Sequence, residues 1–192
     1  MVVIINYGMG NIHSVYNQCR RLGYTPEISS KPEIINKADK LILPGVGHFK
    51  KGMEKIYSYN LIDSLNEKVL KQKTPILGIC LGMHLFCDES EEGDLKGLGW
   101  INAKVVKFNF EKKKGFKIPH MGWNNVLLKK NSLIAENVNE SDEFYFVHSY
   151  HVVSKIDKIT VGSTNYCYNF ISVFEQDNIY GTQFHPEKSH KS

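Results

Sequence analysis

An apolar run ends in a cysteine flanked by glycines, and this run constrains the fold more than any other feature of the chain. Residues 75–79 read Pro-Ile-Leu-Gly-Ile and predict a buried strand, and a helix-compatible segment follows Cys80 directly. Gly78 and Gly82 stand two positions before and two positions after the cysteine. Glycine fits there because β-carbons would crowd a sharp strand-to-helix turn. The run therefore predicts a strand–turn–helix unit with Cys80 at the turn.

A cysteine at such a turn is placed for nucleophilic chemistry. The spacing Gly78-Ile79-Cys80-Leu81-Gly82 is that of a nucleophile elbow, which lifts one side chain above the sheet. The following helix would aim its free N–H groups at the sulfur and favour the reactive thiolate. The alternative is a buried structural cysteine, which is the usual role of a lone cysteine. This run alone leaves both interpretations open.

The first half of the chain alternates strand and helix patterns. Strands are predicted at Val2–Asn6, Lys40–Leu43 and Pro75–Ile79. Helices are predicted from Asn11, as the cap, to about Leu22 and from Leu61 to Lys71. The buried stripes of these helices would be Ile12, Val15, Cys19 and Leu22 in the first and Leu61, Leu65 and Val69 in the second. This alternation predicts parallel strands covered by helices on both faces.

After Gly93 the pattern changes to short strands that are partly antiparallel. They are rich in Val, Ile, Phe and Tyr and are separated by Asn, Asp and Gly. The predicted strands are Ala103–Phe108, Asn125–Leu128, Glu143–Val147, His151–Val153, Thr160–Ser163, Ser172–Glu175 and Ile179–Gln183. We predict a single α/β domain over residues 1–192, with a mixed, mostly parallel sheet and helices on both faces.

Composition excludes several functional classes. The net charge of +4 does not require nucleic acid, and the cluster Lys112–Lys114 is typical of a solvated hairpin loop. No apolar stretch approaches the about 20 residues that span a bilayer, and the N-terminus lacks the charged leader of a signal peptide. Cys80 and Cys87 are expected two turns apart on one helix, which is too far for a disulfide. Scattered cysteines without export signals indicate a reducing cytoplasm.

A second chemical motif lies near the end of the chain, at His185-Pro186-Glu187. Proline disfavours the helical region for the preceding residue, so we expect His185 to be extended. In an extended segment, residues two apart share a face, and Glu187 would hydrogen-bond one ring nitrogen of His185. This is the relationship between the base and its orienting acid in nucleophile–base–acid triads.

A third run, Pro44-Gly45-Val46-Gly47, follows a predicted strand. Two glycines around one residue allow a backbone N–H to turn toward a ligand. Beside a nucleophile, Val46 would complete an oxyanion hole together with the N–H of Leu81. Taken alone, the run is more typical of a plain turn that ends a strand than of an oxyanion hole.

The motifs around Cys80 and His185 together resemble the class I glutamine amidotransferase family. Further runs are similar to one branch of that family, the glutaminase subunits of imidazole glycerol phosphate synthase. The runs are Asn6-Tyr7-Gly8-Met9-Gly10-Asn11, Pro44-Gly45-Val46-Gly47, Pro119-His120-Met121-Gly122-Trp123-Asn124, Tyr145-Phe146-Val147-His148-Ser149-Tyr150 and Gln183-Phe184-His185-Pro186-Glu187-Lys188-Ser189. The resemblance extends from residue 2 to about residue 189.

The resemblance implies hydrolysis of L-glutamine to glutamate and ammonia. Cys80 would attack the side-chain amide, His185 would transfer protons and Glu187 would hold His185 in position. The tetrahedral oxyanion would rest on backbone N–H groups at Val46 and Leu81. Positions that match the family's glutamine site are Gly47, His84, Glu92, His148, Ser149 and Tyr150. Positions that match its partner-facing surface are Trp123, Tyr145 and Lys188.

The resemblance also implies a partner and a pathway, with no cofactor and no metal. Family members pass ammonia directly to a (β/α)8-barrel synthase subunit, in a heterodimer that forms imidazole glycerol phosphate and AICAR in histidine biosynthesis. A flip of the segment 44–47 would switch the glutaminase on and off. The alternative within the family is a paralogous subunit whose ammonia serves sugar amidation in surface-glycan biosynthesis.

Two positions depart from the family pattern. The family usually has glutamine where this chain has His84, and Ser-Tyr-Tyr where this chain has Ser149-Tyr150-His151. Two other classes of protein are considered beside the amidotransferase. One is a cysteine peptidase or hydrolase on a similar scaffold, which would not release glutamate from free glutamine. The other is a regulatory subunit that binds its partner without turnover, and the intact Cys80, His185 and Glu187 argue against it.

Overall fold

The computed structural model describes residues 1–110 and 115–189. The predicted loop at Lys112–Lys114 lies outside the described residues. The strands are β1 (Val2–Ile5), β2 (Glu27–Ser29), β3 (Lys40–Gly45), β4 (Ile76–Cys80), β5 (Cys87–Ser90), β6 (Leu95–Lys96), β7 (Ile101–Lys107), β8 (His120–Asn125), β9 (Leu127–Leu128), β10 (Glu143–His148), β11 (Tyr150–Val153), β12 (Thr160–Tyr166), β13 (Tyr168–Gln176) and β14 (Ile179–Thr182). The α-helices are α1 (Ile12–Arg21), α2 (Pro32–Ile35), α3 (Phe49–Ser58), α4 (Ile62–Asn66) and α5 (Leu81–Leu85). A π-helix covers Glu67–Lys71, and 3-10 helices cover Leu133–Ala135, Asp157–Ile159 and Pro186–Lys188.

The parallel part of the main sheet carries helices on both faces, as predicted. Strands β2, β1, β3, β4 and β14 lie side by side in that order, each parallel to its neighbour. Alternate residues of β1 face opposite layers: Ile4 packs in a cluster with Val15 of α1, whereas Val3 belongs to the core that contains Met53 of α3 and Leu65 of α4. The apolar runs of these strands follow from burial on both faces.

The second half of the chain extends the sheet, mainly with antiparallel pairs, as its sequence pattern indicates. From β14 the sheet continues through β13, β11 and β7, each antiparallel to its neighbour, and then to β5, which is parallel to β7. Strand β6 pairs with β5, and β12 pairs with both β13 and β9. Strands β8 and β10 form a separate antiparallel pair. A cluster that includes Phe146 of β10 and Phe170 of β13 packs this pair onto the main sheet.

Some local predictions were wrong. The helix after Cys80 ends at Leu85, and Cys87 begins β5 because Phe86 already accepts sheet-type hydrogen bonds from the N–H groups of Trp100 and Ile101. The two cysteines are therefore not on one helix, and both are free thiols. Leu22 is 66% exposed because it caps α1 rather than continuing its buried stripe.

The predicted strand over residues 125–128 is divided at Val126. The segment before it pairs within the β8–β10 sheet, and β9 after it pairs with β12 of the main sheet. Val126 is buried where the chain crosses between the two sheets. The helix predicted over residues 61–71 is present, although its last turn is widened into the π-helix Glu67–Lys71.

The register of the parallel strands brings the three chemical motifs together. Gly45 at the end of β3 lies opposite Cys80 at the end of β4, and Thr182 at the end of β14 lies opposite Ile79. The segments that follow β3, β4 and β14 therefore leave the sheet at the same edge. Ligand sites of open α/β sheets lie at this carboxyl edge.

Candidate active site

Cys80 has a strained backbone at the junction between β4 and α5. Its φ of 53° and ψ of −108° form a conformation that costs a non-glycine residue about 1–3 kcal/mol. A β-carbon at Gly82 would lie 1.8 Å from the backbone oxygen of Leu43, and one at Gly78 would lie 2.6 Å from Cε2 of Phe86. These contacts confirm that the turn requires glycine on both sides of Cys80.

His185 and Glu187 form a buried pair beside this turn. Nδ1 of His185 lies 2.8 Å from Oε1 of Glu187, and both side chains are almost fully buried. The extended conformation predicted for His185 is confirmed, with φ −101° and ψ 93°. The chain then turns through the 3-10 helix Pro186–Lys188, so Glu187 reaches the ring by a tight turn rather than along an extended segment.

The groups around the ring of His185 change its pKa. Burial lowers its pKa, but interactions with Cys80 and Glu187 outweigh burial, and the net pKa rises to about 9. Nε2, the nitrogen that does not face Glu187, is buried without a hydrogen-bond partner of normal length among the described residues. This nitrogen is therefore available to a reacting group.

Cys80 and His185 line one cavity of about 190 Å³. All of the residues predicted for the oxyanion hole and for the glutamine site line the same cavity. The lining residues are Val46, Gly47, Cys80, Leu81, His84, Glu92, Val147, His148, Ser149, Tyr150 and His185. Glu187 stands behind the ring of His185 and does not line the cavity. Val147 is the one lining residue in this list that the sequence did not predict.

The segment after β3 forms one wall of the cavity. Val46 is 38% exposed, and Gly47 has a φ of +107°, which a residue with a β-carbon rarely adopts. Leu81 faces the segment from the start of α5. The N–H groups assigned to the oxyanion hole thus belong to residues of two different segments that line one cavity, and their role stays a prediction.

Glu92 and His148 are each held by a backbone group. Oε2 of Glu92 accepts the N–H of Phe49 at 2.8 Å, at the first turn of α3. Nδ1 of His148 donates to the carbonyl of Tyr150 at 2.8 Å, which leaves its Nε2 to accept from Nδ1 of His120 at 3.0 Å. Burial holds the pKa of His148 well below its usual range. His148 is thus a neutral ring with a defined tautomer.

A buried glutamine connects two residues of the cavity. Oε1 of Gln183 lies 2.7 Å from Nε2 of His84, and Nε2 of Gln183 lies 3.8 Å from the sulfur of Cys80. Burial lowers the pKa of His84 to about 4. The sequence assigned no role to Gln183; the signal for one was an amide side chain directly after a buried strand and two residues before His185.

The three residues predicted to face a partner lie together. Trp123 of β8 and Tyr145 of β10 are opposite each other in the antiparallel register, with ring centroids 5.8 Å apart. Nζ of Lys188 lies 5.7 Å from the ring centroid of Tyr145. Trp123 is 48% exposed, so its side chain is not part of the hydrophobic core. We call Trp123, Tyr145 and Lys188 the aromatic patch.

Within residues 1–110 and 115–189, no group of three or more His, Cys, Asp or Glu side chains is arranged to hold a metal ion. None of the helices described is both long enough and apolar enough to cross a membrane.

Fold and site define an α/β protein with a cysteine, a histidine and a carboxylate gathered at the carboxyl edge of its sheet. The chain belongs to the class-I glutamine amidotransferase family, whose model matches residues 3–192. The cysteine peptidase alternative is not supported by this assignment.

The chain is also similar in sequence to imidazole glycerol phosphate synthase subunits of two organisms, and in fold to a solved structure. The chain is 54% identical over 191 residues to imidazole glycerol phosphate synthase subunit HisH 2 of Methanococcus maripaludis, with 100% of this chain and 94% of the relative covered. It is 45% identical to the subunit of the same name in Pseudomonas aeruginosa, with the same coverage. A solved glutamine amidotransferase from Thermotoga maritima, at 16% identity, shares the fold with a TM-score of 0.65 over 97% of this chain and 75% of that one.

Proposed function

We propose that this chain is the glutaminase subunit of imidazole glycerol phosphate synthase and hydrolyses L-glutamine to glutamate and ammonia. The observation that carries the proposal is the meeting of Cys80 and His185 at one cavity, with Glu187 behind the ring. Membership of the class-I glutamine amidotransferases and the names of the relatives support it. Those names favour histidine biosynthesis over sugar amidation.

In the first half of the reaction, the thiolate of Cys80 attacks the side-chain carbonyl carbon of glutamine. The carbonyl oxygen becomes an oxyanion that accepts hydrogen bonds from the N–H groups of Leu81 and Val46. The C–N bond then breaks as protonated His185 gives its Nε2 proton to the departing nitrogen. The products of this half are ammonia and a thioester on Cys80.

In the second half, neutral His185 removes a proton from water, and the resulting hydroxide attacks the thioester carbon. The C–S bond breaks, which releases glutamate and restores the thiolate of Cys80. Glu187 keeps Nδ1 of His185 protonated throughout, so Nε2 is the nitrogen that exchanges protons. The raised pKa of His185, about 9, supplies the protonated ring that the first half requires.

The remaining lining residues would bind the amino-acid end of glutamine. Glu92 supplies a carboxylate for the substrate ammonium group, whereas His84, His148, Ser149 and Tyr150 line the rest of the cavity with Gly47. A cavity of about 190 Å³ is suited to a single small amino acid rather than a peptide. This size supports free glutamine as the substrate.

We further propose a heterodimer in which a (β/α)8-barrel synthase subunit covers the aromatic patch and receives the ammonia. Ammonia in neutral water is mostly protonated and is then no nucleophile, so direct transfer preserves its reactivity. The backbone carbonyl of Tyr145 accepts the N–H of His185 at 2.9 Å, which supports a partner site directly beside the triad. Residues 1–192 would act as one glutaminase domain in the cytoplasm, where the four free cysteines stay reduced.

The proposal is tested by measuring glutamate release from glutamine by the chain together with a barrel synthase subunit. Cys80→Ala should reduce release to background, whereas Cys19→Ala, a thiol of α1 outside the cavity, should retain it. Formation of imidazole glycerol phosphate in the same mixture tests the pathway. Undiminished glutamate release by Cys80→Ala would remove Cys80 from the mechanism and overturn the proposal.

A further inference from the structure

We infer that Gln183 holds the sulfur of Cys80 in its reactive position by an N–H···S hydrogen bond, and that His84 sets the orientation of Gln183. The inference deepens the proposed function, on which it rests, because it takes Cys80 as the nucleophile. It assigns Gln183 and His84 as positioning residues.

The first step is the fixed placement of Gln183. It follows the last residue of β14, and its side chain is 0% exposed. Its backbone N–H donates to the carbonyl of Ser172 in β13 at 2.8 Å, so its backbone position is fixed by the sheet. Because β14 lies beside β4, this position places the amide group next to the Cys80 turn.

The second step is the orientation of the amide. Its oxygen is 2.7 Å from Nε2 of His84, and a carbonyl oxygen can only accept a hydrogen bond. His84 therefore carries its proton on Nε2 and donates. With the amide oxygen held in this way, the NH₂ group of Gln183 faces the sulfur of Cys80, 3.8 Å away.

The third step is the charge of His84. Its ring is buried, and burial lowers its pKa to about 4, so the ring is neutral near pH 7. A neutral ring donates one hydrogen bond without adding a second positive charge beside His185. Of the rings of His84 and His185, only that of His185 is then positively charged. His185 therefore keeps the proton that ammonia release needs.

The fourth step is the effect on the sulfur. Hydrogen bonds to charged groups are stronger than those to neutral ones, so the N–H of Gln183 stabilises the thiolate more than the thiol. The bond also opposes rotation of the side chain away from the cavity. Cys80 would thus be held from two sides, by the ring of His185 and by the amide of Gln183.

The test measures how fast iodoacetamide alkylates Cys80 across pH in the isolated full-length chain, with Cys80→Ala to subtract the other thiols. Gln183→Leu preserves side-chain size and removes the donor. We expect alkylation of this variant at neutral pH to fall about five- to tenfold, with the half-maximal rate shifted to higher pH and similar rates at high pH. Gln176→Leu, the same change on β13 outside the cavity, should match the unaltered chain.

Variants of His84 test the second residue and do not depend on whether Gln183→Leu folds. His84→Gln retains an N–H that can donate to Oε1 of Gln183, and its alkylation profile should stay near that of the unaltered chain. His84→Met has no donor and should reproduce the shift of Gln183→Leu. A shift in Gln183→Leu and His84→Met but not in His84→Gln supports the inference.

Two results overturn the inference. One is a pH profile of alkylation for Gln183→Leu that superimposes on the profile of the unaltered chain. If Gln183→Leu does not fold, the same result for His84→Met overturns the inference. The other is an equal fall in rate at every pH, which indicates a general change of structure. Alkylation requires neither glutamine nor a partner, so a failed glutaminase assay leaves this test intact. Conversely, glutamate release that depends on Cys80, combined with an unshifted profile, keeps the proposed function and removes Gln183 from it.

Discussion

At the scale of single residues, the site depends on buried rings whose protonation is set by their neighbours. His185 and His84 lie at the same cavity, but different effects determine their pKa values. Interactions with Cys80 and Glu187 outweigh burial at His185, whereas burial dominates at His84. The result is one ring with a raised pKa and one with a lowered pKa. This separation supports the proposed role of His185 in proton transfer and leaves His84 as a neutral ring.

Glu187→Gln should therefore slow glutamate release about 10²- to 10³-fold, because the ring loses the carboxylate that fixes its tautomer. The pKa of His185 should fall from about 9, since Glu187 is one of the groups that raise it. An NMR titration of the His185 ring measures the pKa, and glutamate assays measure turnover. Glu54→Gln, an exposed carboxylate of α3, is the control; an unchanged His185 pKa in Glu187→Gln would contradict the argument.

The pair of His185 and Glu187 also makes the free energy of unfolding depend on pH. This dependence has the opposite sign to the one produced by buried histidines whose pKa is lowered. A raised pKa means that folded His185 binds its proton more tightly than the unfolded chain does. Its stabilising contribution is complete below the unfolded pKa of about 6.5 and is lost as pH rises through about 9. Glu187→Gln should therefore lose more stability at pH 6 than at pH 10, as measured by urea unfolding.

At the residue scale, local spacing was sufficient to predict which side chains lie together, whereas their catalytic roles stay predictions. Cys80 between two glycines and His185 two residues before Glu187 are local patterns, and the structure places Cys80 and His185 at one cavity with Glu187 behind the ring. Gln183 was not assigned, because its role comes from contacts with two residues about 100 positions away. No local pattern carries that information.

At the scale of elements, the Cys80 turn requires β3, β4 and α5 to pack with almost no space between them. The hydrogen atom of Gly82 faces the backbone oxygen of Leu43, where a β-carbon would be 1.8 Å away. Backbone in the centre of a sheet cannot move by a few tenths of an ångström without disturbing its neighbours. The turn and the parallel register therefore depend on each other.

Gly82→Ala should destabilise the chain by more than about 3 kcal/mol, or prevent folding, because β3 and α5 must separate. Gly23→Ala is the matched control, since Gly23 has a φ of +84° but nothing lies within 4 Å of its added β-carbon. Its cost should be about 1 kcal/mol, from backbone conformation alone. Urea unfolding compares the two, and equal losses would refute the role of close packing.

Element boundaries were harder to predict than element types, and the failures share a cause. Cys87 is predicted on the helix that follows Cys80, but pairing of its segment with β7 makes it part of a strand. The strand at residues 125–128 was divided because its two parts pair with different sheets. Both outcomes depend on distant strands, whereas β1, β3 and β4 were found because burial on both faces marks each strand by itself.

At the scale of the whole molecule, several buried histidines make the fold sensitive to acid. Burial lowers the pKa of His84 and of His120 to about 4 and that of His148 well below its usual range. The unfolded chain binds protons at these rings from about pH 6.5, whereas the folded chain does not. The free energy of unfolding should therefore fall as pH decreases from 6.5 toward 4.

His84→Gln should reduce this slope by up to one proton, because it removes one of the rings that titrate only on unfolding. The measurement is urea unfolding at several pH values between 7 and 4, for the unaltered chain and the variant. Asn17→Gln changes an exposed residue of α1 that carries no titratable group, and it should leave the slope unchanged. An identical slope for His84→Gln and the unaltered chain would contradict the assignment of a neutral buried His84.

The arrangement of the two sheets also connects the cavity with the proposed partner surface. The β8–β10 pair carries Trp123 and Tyr145 on its outer side, and the backbone of Tyr145 hydrogen-bonds both to His185 and to the side chain of Ser189.

Trp123→Ala should weaken binding of the barrel synthase subunit about 10- to 100-fold, because half-exposed tryptophans are typical interface anchors. The isolated chain should keep its stability and its rate of Cys80 alkylation, since Trp123 lies outside the cavity. Leu133→Ala, at a residue 77% exposed in the 3-10 helix Leu133–Ala135, is the control, and calorimetric titration measures both affinities. An equal loss in the two variants would place the partner elsewhere on the surface.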